Sequence, residues 1–291
     1  MKNTDIQNVL FANNEVIALY RGDSLIWRKD SNSDKDNVIM GMVEDTWNDD
    51  LTVRINGTDT IVPYNSDKTF TYKITDEITT CNSMFNPSHL SKIDVSRLDT
   101  SNVSEMRYMF AYSNAEEINL TNFDTSSATY MTEMFSNCNK LISLDVSSFD
   151  TSNAKNMKNM FASCGKLTEL DLSNFNTSKV NTLDQMFSYC ANLEKITFGV
   201  FDINNCSTSQ YILFYGCNSL TTLEGEIRGI KFDFNLRHSP LTNASAMVII
   251  RGLNNINNKK TLTFSQTTFD TLTEEQIAIA TSKGWTVAAS N

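Results

Sequence analysis

Apolar residues return to matching places along this chain about every 25 residues. The clearest marker is a Met-Phe pair, at Met84-Phe85, Met109-Phe110, Met134-Phe135, Met160-Phe161 and Met186-Phe187, which degenerates to Leu213-Phe214. A fixed period of this size predicts a solenoid, in which one supersecondary unit stacks on copies of itself. Between the markers, apolar pairs two residues apart have strand spacing: Ile93/Val95, Ile118/Leu120, Leu144/Val146, Leu170/Leu172 and Ile196/Phe198. A large apolar residue follows, at Leu98, Phe123, Phe149, Phe175 and Phe201. After it comes an Asp/Asn-led polar triplet, usually Asp-Thr-Ser, whose side-chain oxygens can cap free N–H groups. The next Val/Ala, Met/Leu, Met and Phe recur at roughly three-residue spacing, which predicts a short helix. Each unit therefore reads as a strand, a capped turn, a short helix and a loop back. Stacking such units gives a parallel sheet with about 4.8 Å between rungs.

The flanks break the period. Residues 1–30 read as a β attachment segment, with Val16 to Tyr20 and Ser24 to Trp27 as strands around Arg21-Gly22-Asp23, a hairpin signal. Residues 31–37, all polar or charged, read as a linker. Residues 38–78 are β-rich, with Asn56-Gly57 as a strong turn pair. They are expected to cover the first rung of the array, because an open sheet edge invites aggregation. The array covers 79–223. Residues 224–291 read as an α/β C-terminal cap: a helix over Leu241 to Leu253, a strand at Thr261 to Phe264, a second helix N-capped by Thr273 and ended by Gly284, and a last strand from Trp285. The fold class is thus an α/β repeat solenoid, leucine-rich-repeat-like, with short helices, a β-rich N-terminal unit and an α/β cap.

Charge and cysteine content narrow the function classes. A net charge of −10 argues against nucleic-acid binding, which needs cationic groups to neutralise phosphates. No apolar run approaches the roughly 18 residues of a membrane span, so membrane insertion is not expected. The N-terminus lacks the apolar stretch and cleavage site of a secretory signal. Cys138, Cys164, Cys190 and Cys217 fall in repeat phase, with Cys81 and Cys206 beside them. Without any C-x-x-C pair, they are expected to stack as small buried thiols rather than to bind metal or form disulfides.

The units, of the form LxxLDLSxFDTSxxxxMxxMFxxC, resemble the BspA-like leucine-rich repeats of bacterial surface proteins, found in surface lipoproteins of Bacteroidetes, Firmicutes and mycoplasmas. The blocks Leu141 to Phe161 and Leu167 to Phe187 carry the resemblance most fully, and the tail from Ser239-Pro240 through Gly284-Trp285 resembles the close of many such arrays. The resemblance implies adhesion or interaction in general and no shared catalytic residue. The segment Glu15 to Tyr20 with Ile26-Trp27-Arg28 instead resembles short β segments at the start of tail or head-decoration proteins of gut bacteriophages.

Candidate chemistry lies on repeat columns. Between the buried apolar pairs, Asp94, Asn119, Asp145 and Asp171, with Glu169 alongside, are expected on the concave face. They form either a groove whose carboxylates hydrogen-bond a sugar or peptide, or a solvated sheet face. Exposed aromatic platforms are absent from these columns. Asp99, Asp124, Asp150, Asn176 and Asp202 form a second column. Ca²⁺ could bridge stacked carboxylates, but capping of each turn is the simpler account. Arg21-Gly22-Asp23 and the sequons at Asn102, Asn119 and Asn176 are accounted for by turn geometry and composition. No hydrolase, zinc, P-loop or dinucleotide motif occurs, so neither catalysis nor a cofactor or metal is expected.

The resulting expectation is a non-enzymatic virion component of a bacteriophage, a head or tail fibre or decoration protein. Leu19, Tyr20, Ile26 and Trp27 would attach it to other virion proteins. The array would meet a host cell-surface protein or glycan, and a homo-oligomer is compatible with that role. The alternative is a bacterial cell-surface or secreted adhesin.

Overall fold

The computed structural model describes residues 8–12, 15–21, 24–28, 38–43, 51–62, 69–74, 77–206 and 212–290. The fold consists of mixed sheets with few helices. Strands β1 (Asn8–Ala12), β2 (Glu15–Arg21) and β3 (Ser24–Arg28) form an antiparallel sheet in that order. Leu19 lies opposite Trp27 in it. The strand runs expected over 16–20 and 24–27 are therefore present. The turn at Gly22-Asp23 and the 31–37 linker lie outside the described residues.

Strand β4 (Val38–Val43) is the hinge between the N-terminal unit and the array. It pairs antiparallel with β7 (Thr69–Lys73) on one side and β8 (Leu90–Asp94) on the other. Its Val38, Ile39 and Met40 are buried, so its apolar content is spent on the edge of the first repeat strand. Between them, β5 (Leu51–Ile55) and β6 (Thr58–Val62) make a hairpin. Its turn places Asn56 and Gly57 at φ 48° and 81°, the left-handed values a two-residue hairpin loop requires.

In the array the strands run parallel. β8 pairs with β9 (Glu117–Asn119), and β10 (Glu169–Leu172) with β11 (Lys195–Asp202), which pairs in turn with β12 (Thr222–Arg228). The register joins equivalent positions of successive repeats: Ile93 with Ile118, Leu170 with Ile196, Ile196 with Leu223. All five apolar pairs read from the strand spacing are buried.

The short helix expected over each Met-Phe segment is not formed. Among the described residues of 79–223 there is no helix. The residue before each Met and the second residue after most Phe are left-handed: Tyr108, Tyr112, Glu133, Asn137, Asn159, Ser163, Gln185 and Tyr189 have φ between 55° and 62°. A right-handed helix cannot run through such residues. Donors instead alternate in direction. The N–H groups of Glu133, Phe135 and Asn137 donate to the carbonyls of Lys158, Met160 and Ala162 in the next repeat, at 2.8–2.9 Å. Those of Met134, Ser136 and Cys138 donate three residues back, to Met131, Glu133 and Phe135. A run of three-residue turns and a helix share the same apolar spacing, which is why the pattern suggested the wrong element.

The Met-Phe corners close around a ladder of rings. Phe85, Phe110, Phe135, Phe161, Phe187 and Phe214 stack in sequence, with centroids 5.2–6.0 Å apart and planes within 8° of parallel. Such pairs add about 0.5–1.5 kcal/mol each beyond the area they bury. Beside them Cys138, Cys164, Cys190 and Cys217 are buried free thiols, and each Sγ–H donates to a Phe carbonyl at 3.0–3.1 Å.

The C-terminal residues change style. Strands β13 (Phe234–Leu236), β14 (Lys260–Ser265) and β15 (Trp285–Ser290) form a parallel sheet. True helices appear: α1 (Asn243–Arg251), capped by Thr242, the short α2 (Gln266–Phe269), and α3 (Glu274–Ser282), whose Thr273 and Gln276 form a capping box. No described helix is long and apolar enough to cross a membrane.

Candidate functional site

Asp94, Asn119, Asp145 and Asp171 of the strand column each turn back on the backbone two residues on. Asp94 closes β8 and is buried. Its Oδ1 accepts from the Ser96 N–H at 3.0 Å and Oγ at 2.7 Å, and its Oδ2 accepts from Asn119 Nδ2 at 3.0 Å. Asn119, half-buried, accepts from the Thr121 N–H through Oδ1. Asp145 and Asp171 are exposed and accept from the N–H groups of Ser147 and Ser173, each at 2.9 Å. An Asp or Asn followed two residues later by Ser or Thr is thus an Asx turn repeated in four successive copies.

These bonds set the electrostatics. The Ser147 hydroxyl and N–H hold the Asp145 carboxyl below the usual carboxylate range. For Asp171 the larger cause is the Ser173 N–H, with its hydroxyl second. Glu169 opens β10, is exposed, and lies opposite Lys195 in the register. Lys195 pairs with Glu224 at 2.8 Å, and Lys92 with Glu117 at 3.1 Å. Toward its C-terminal end the column therefore presents ionised carboxylates to solvent, edged by ion pairs. Such a face accepts hydrogen bonds.

The second column caps turns in the same way. Asp99, Asp124, Asp150, Asn176 and Asp202 accept from the N–H of the residue two positions on, at 2.8–3.3 Å. The Ser152 N–H holds the Asp150 carboxyl low, helped by its hydroxyl. Among the described residues, no group of three or more His, Cys, Asp or Glu is placed to hold a metal ion.

Sequence reasoning missed the middle residue of the Asp-Thr-Ser triplet. Thr100, Thr125, Thr151 and Thr177 are fully buried. Each Oγ1 donates to the carbonyl of the Asp or Asn one repeat on, at 2.7–3.1 Å. Three of them also accept the N–H of that same residue. The signal was present: a hydroxyl in strict phase, flanked by capping residues, must spend its donor somewhere if buried.

Leu19 and Tyr20 lie on β2, and Ile26 and Trp27 on β3, so the four proposed attachment residues share one antiparallel sheet. That sheet and the strand column come from opposite sides of the 31–37 segment. Large exposed apolar side chains sit elsewhere, notably Tyr112 and Tyr189 at the Met-Phe corners. A cavity of about 450 Å³ opens among Asn204, Glu226, Arg228, Arg251 and Asn254. Its Arg228 is held by Glu226 at 2.6 and 2.8 Å, and Asn254 by Asn204.

A family model described as "Mycoplasma protein of unknown function, DUF285" matches residues 64–144 and, overlapping, 112–222. The two matches together span more than half of the 291-residue chain. No curated protein and no solved structure matches it.

Proposed function

The chain belongs to the DUF285 family, and from that premise we propose that it is a non-enzymatic interaction protein. Its repeats form a leucine-rich-repeat-like solenoid that presents one long face to a partner at a cell or particle surface. The observation that carries this reading is the direction of the hydrogen bonds. Backbone donors at the corners and hydroxyls at the turns reach the next copy, at the residue just before the equivalent one, 25 positions on. That arrangement yields an extended surface of repeated columns. On it the side chains of Asp94, Asn119, Asp145 and Asp171 each accept from the N–H two residues on.

The strand column of Asp94, Asn119, Asp145, Glu169 and Asp171 is the proposed contact face. Replacing Asp145 and Asp171 together by Ala should weaken binding of the purified protein to whole bacterial cells while lowering the melting temperature only modestly. Unchanged binding would remove this face from the interaction.

Two carriers fit. The family's printed description, a protein of a cellular bacterium, favours display on a bacterial surface as an adhesin. The separate β1–β2–β3 sheet supports the second reading, a bacteriophage virion component docked through Leu19, Tyr20, Ile26 and Trp27. Mass spectrometry of purified particles and of protease-shaved cell surfaces separates the two. A protein lacking residues 1–30 that still enters particles fully would sink the docking role.

A further inference from the structure

The corner position two residues after Phe is left-handed at Tyr112, Asn137, Ser163, Tyr189 and Gly216. Asn and Gly suit that conformation, whereas a bulky side chain there is disfavoured. A tyrosine at such a site needs a reason, and core packing does not supply one: Tyr189 is 55% exposed. Tyr112 shares that backbone and exposure, so what sets Tyr189 apart is its neighbours.

The surroundings of Tyr189 are built around its ring. A Cβ at position 216 would stand 3.0 Å from Tyr189 Cδ1, so Gly216 leaves the ring its place. Tyr189 meets Tyr215 edge to face with centroids 5.4 Å apart, and Tyr215 meets His238 likewise at 4.5 Å. The Arg237 guanidinium lies 5.4 Å from the Tyr215 centroid, and its Nε–H donates to His238 Nε2 at 2.9 Å. Among the described residues no carboxylate pairs with Arg237, although the chain carries a net charge of −10. The contrast with Arg107 is direct. That guanidinium also covers a ring, Tyr130 at 4.1 Å, but its Nε is taken by Glu105 at 2.8 Å.

Tyr189, half open to solvent and backed edge to face by Tyr215 and through it His238, offers an apolar face with polar edges. A sugar ring has the matching form, a C–H face with hydroxyls around it. The guanidinium at the end of the strip is shaped to take a carboxylate through two parallel N–H bonds. We propose that Tyr189, Tyr215, His238 and Arg237 form a binding site for a carboxylated saccharide. Its ring stacks on Tyr189 and its carboxylate meets the free edge of Arg237. This rests on the surface-interaction reading above and deepens it, but uses the Met-Phe corner rather than the strand column.

The test titrates the 291-residue protein with sialyllactose and with trigalacturonate, using lactose and maltotriose as neutral controls and an acidic Glu-rich hexapeptide as a third arm. Calorimetry or ligand-observed NMR reads the affinity. One of the two acidic sugars should bind, which also tells a sialic acid from a uronate. Arg237→Gln should weaken binding by about tenfold or more. Tyr189→Asn should do the same while keeping a residue type that suits the left-handed backbone, so a lost fold is not mistaken for a lost site. Tyr112→Asn should leave sugar binding intact, while the Asp145→Ala, Asp171→Ala double variant, assayed on whole cells, reads the strand-column proposal separately. The proposal is overturned if neither acidic sugar binds, if the neutral sugars bind as well, if the peptide binds instead, or if Arg237→Gln has no effect.

Discussion

The Met-Phe corners and the C-terminal helices start from the same apolar spacing and end as different structures. Over 131–138 the apolar residues Met131, Met134, Phe135 and Cys138 suggest a helix, yet the chain makes three-residue turns and sends every second N–H to the next repeat. The same spacing at Ala246, Ile249, Ile250 and Leu253 belongs to α1 and the residues just past it, a true helix, and α3 is another. Length alone does not separate them, since both are short and a short helix is marginal by itself. What separates them is the competition for hydrogen bonds. In the corner, the next copy presents open carbonyls at the right height, and left-handed residues flank the Met-Phe pair. Around α3, the Thr273–Gln276 capping box satisfies the first free N–H groups, and Ala278 and Ala280 favour helix. Local propensity decides where no neighbouring copy competes, and the repeat decides where one does.

The largest effect that sharpens this contrast is in the ring ladder. Phe135 is fully buried between Phe110 and Phe161, and Phe135→Ala should cost about 3–5 kcal/mol in urea unfolding. Loss of less than about 1 kcal/mol would mean the ladder does not hold the corner. Next comes the turn. Thr151→Val keeps the shape but leaves the N–H and carbonyl of Asn176 without their side-chain partner, at a cost of about 1–3 kcal/mol. Thr125→Val, which removes only the bond to the Asp150 carbonyl, should cost less than Thr151→Val.

Glycine substitutions should then change sign between the two regions. Ser163 sits at φ 60°, so Ser163→Gly should be neutral or stabilising by up to about 1 kcal/mol. Ala278→Gly, on the exposed side of α3, should destabilise by about 1 kcal/mol. Equal losses at both sites would erase the distinction. Acid gives the smallest effect. Asp145, Asp150 and Asp171 are held below the usual carboxylate range in the folded chain by Ser side chains and N–H groups. Their contribution is present at neutral pH and is lost as pH falls through the carboxylate range. Because these groups face solvent, the urea midpoint should drop only modestly between neutral pH and about pH 3. Asp145→Asn should flatten that slope, and a slope of opposite sign would contradict the Asx-turn account.

Much of the fold is legible from spacing. The period of two at Leu170/Leu172 names a strand, Asn56-Gly57 names a hairpin, and Thr273 with Gln276 names a helix start. These signals are local, because each residue's partner lies within a few positions. The errors come from partners that lie one repeat away. Nothing within a few residues of Phe135 reveals that its N–H will bond Met160, and nothing near Thr151 reveals Asn176. The candidate sites divide on the same line. The Asp-x-Ser turns could be read from the chain, while the strip of Tyr189, Tyr215 and His238 assembles residues from three separate segments.

The account stands most directly on where the corner N–H groups point. Scalar coupling across hydrogen bonds, measured by NMR on deuterated protein, reads that direction without any substitution. The Phe135 amide nitrogen should couple to the carbonyl carbon of Met160, and the Phe161 nitrogen to that of Met186. Coupling from Phe135 to Met131, four residues back as in a helix, would contradict the account.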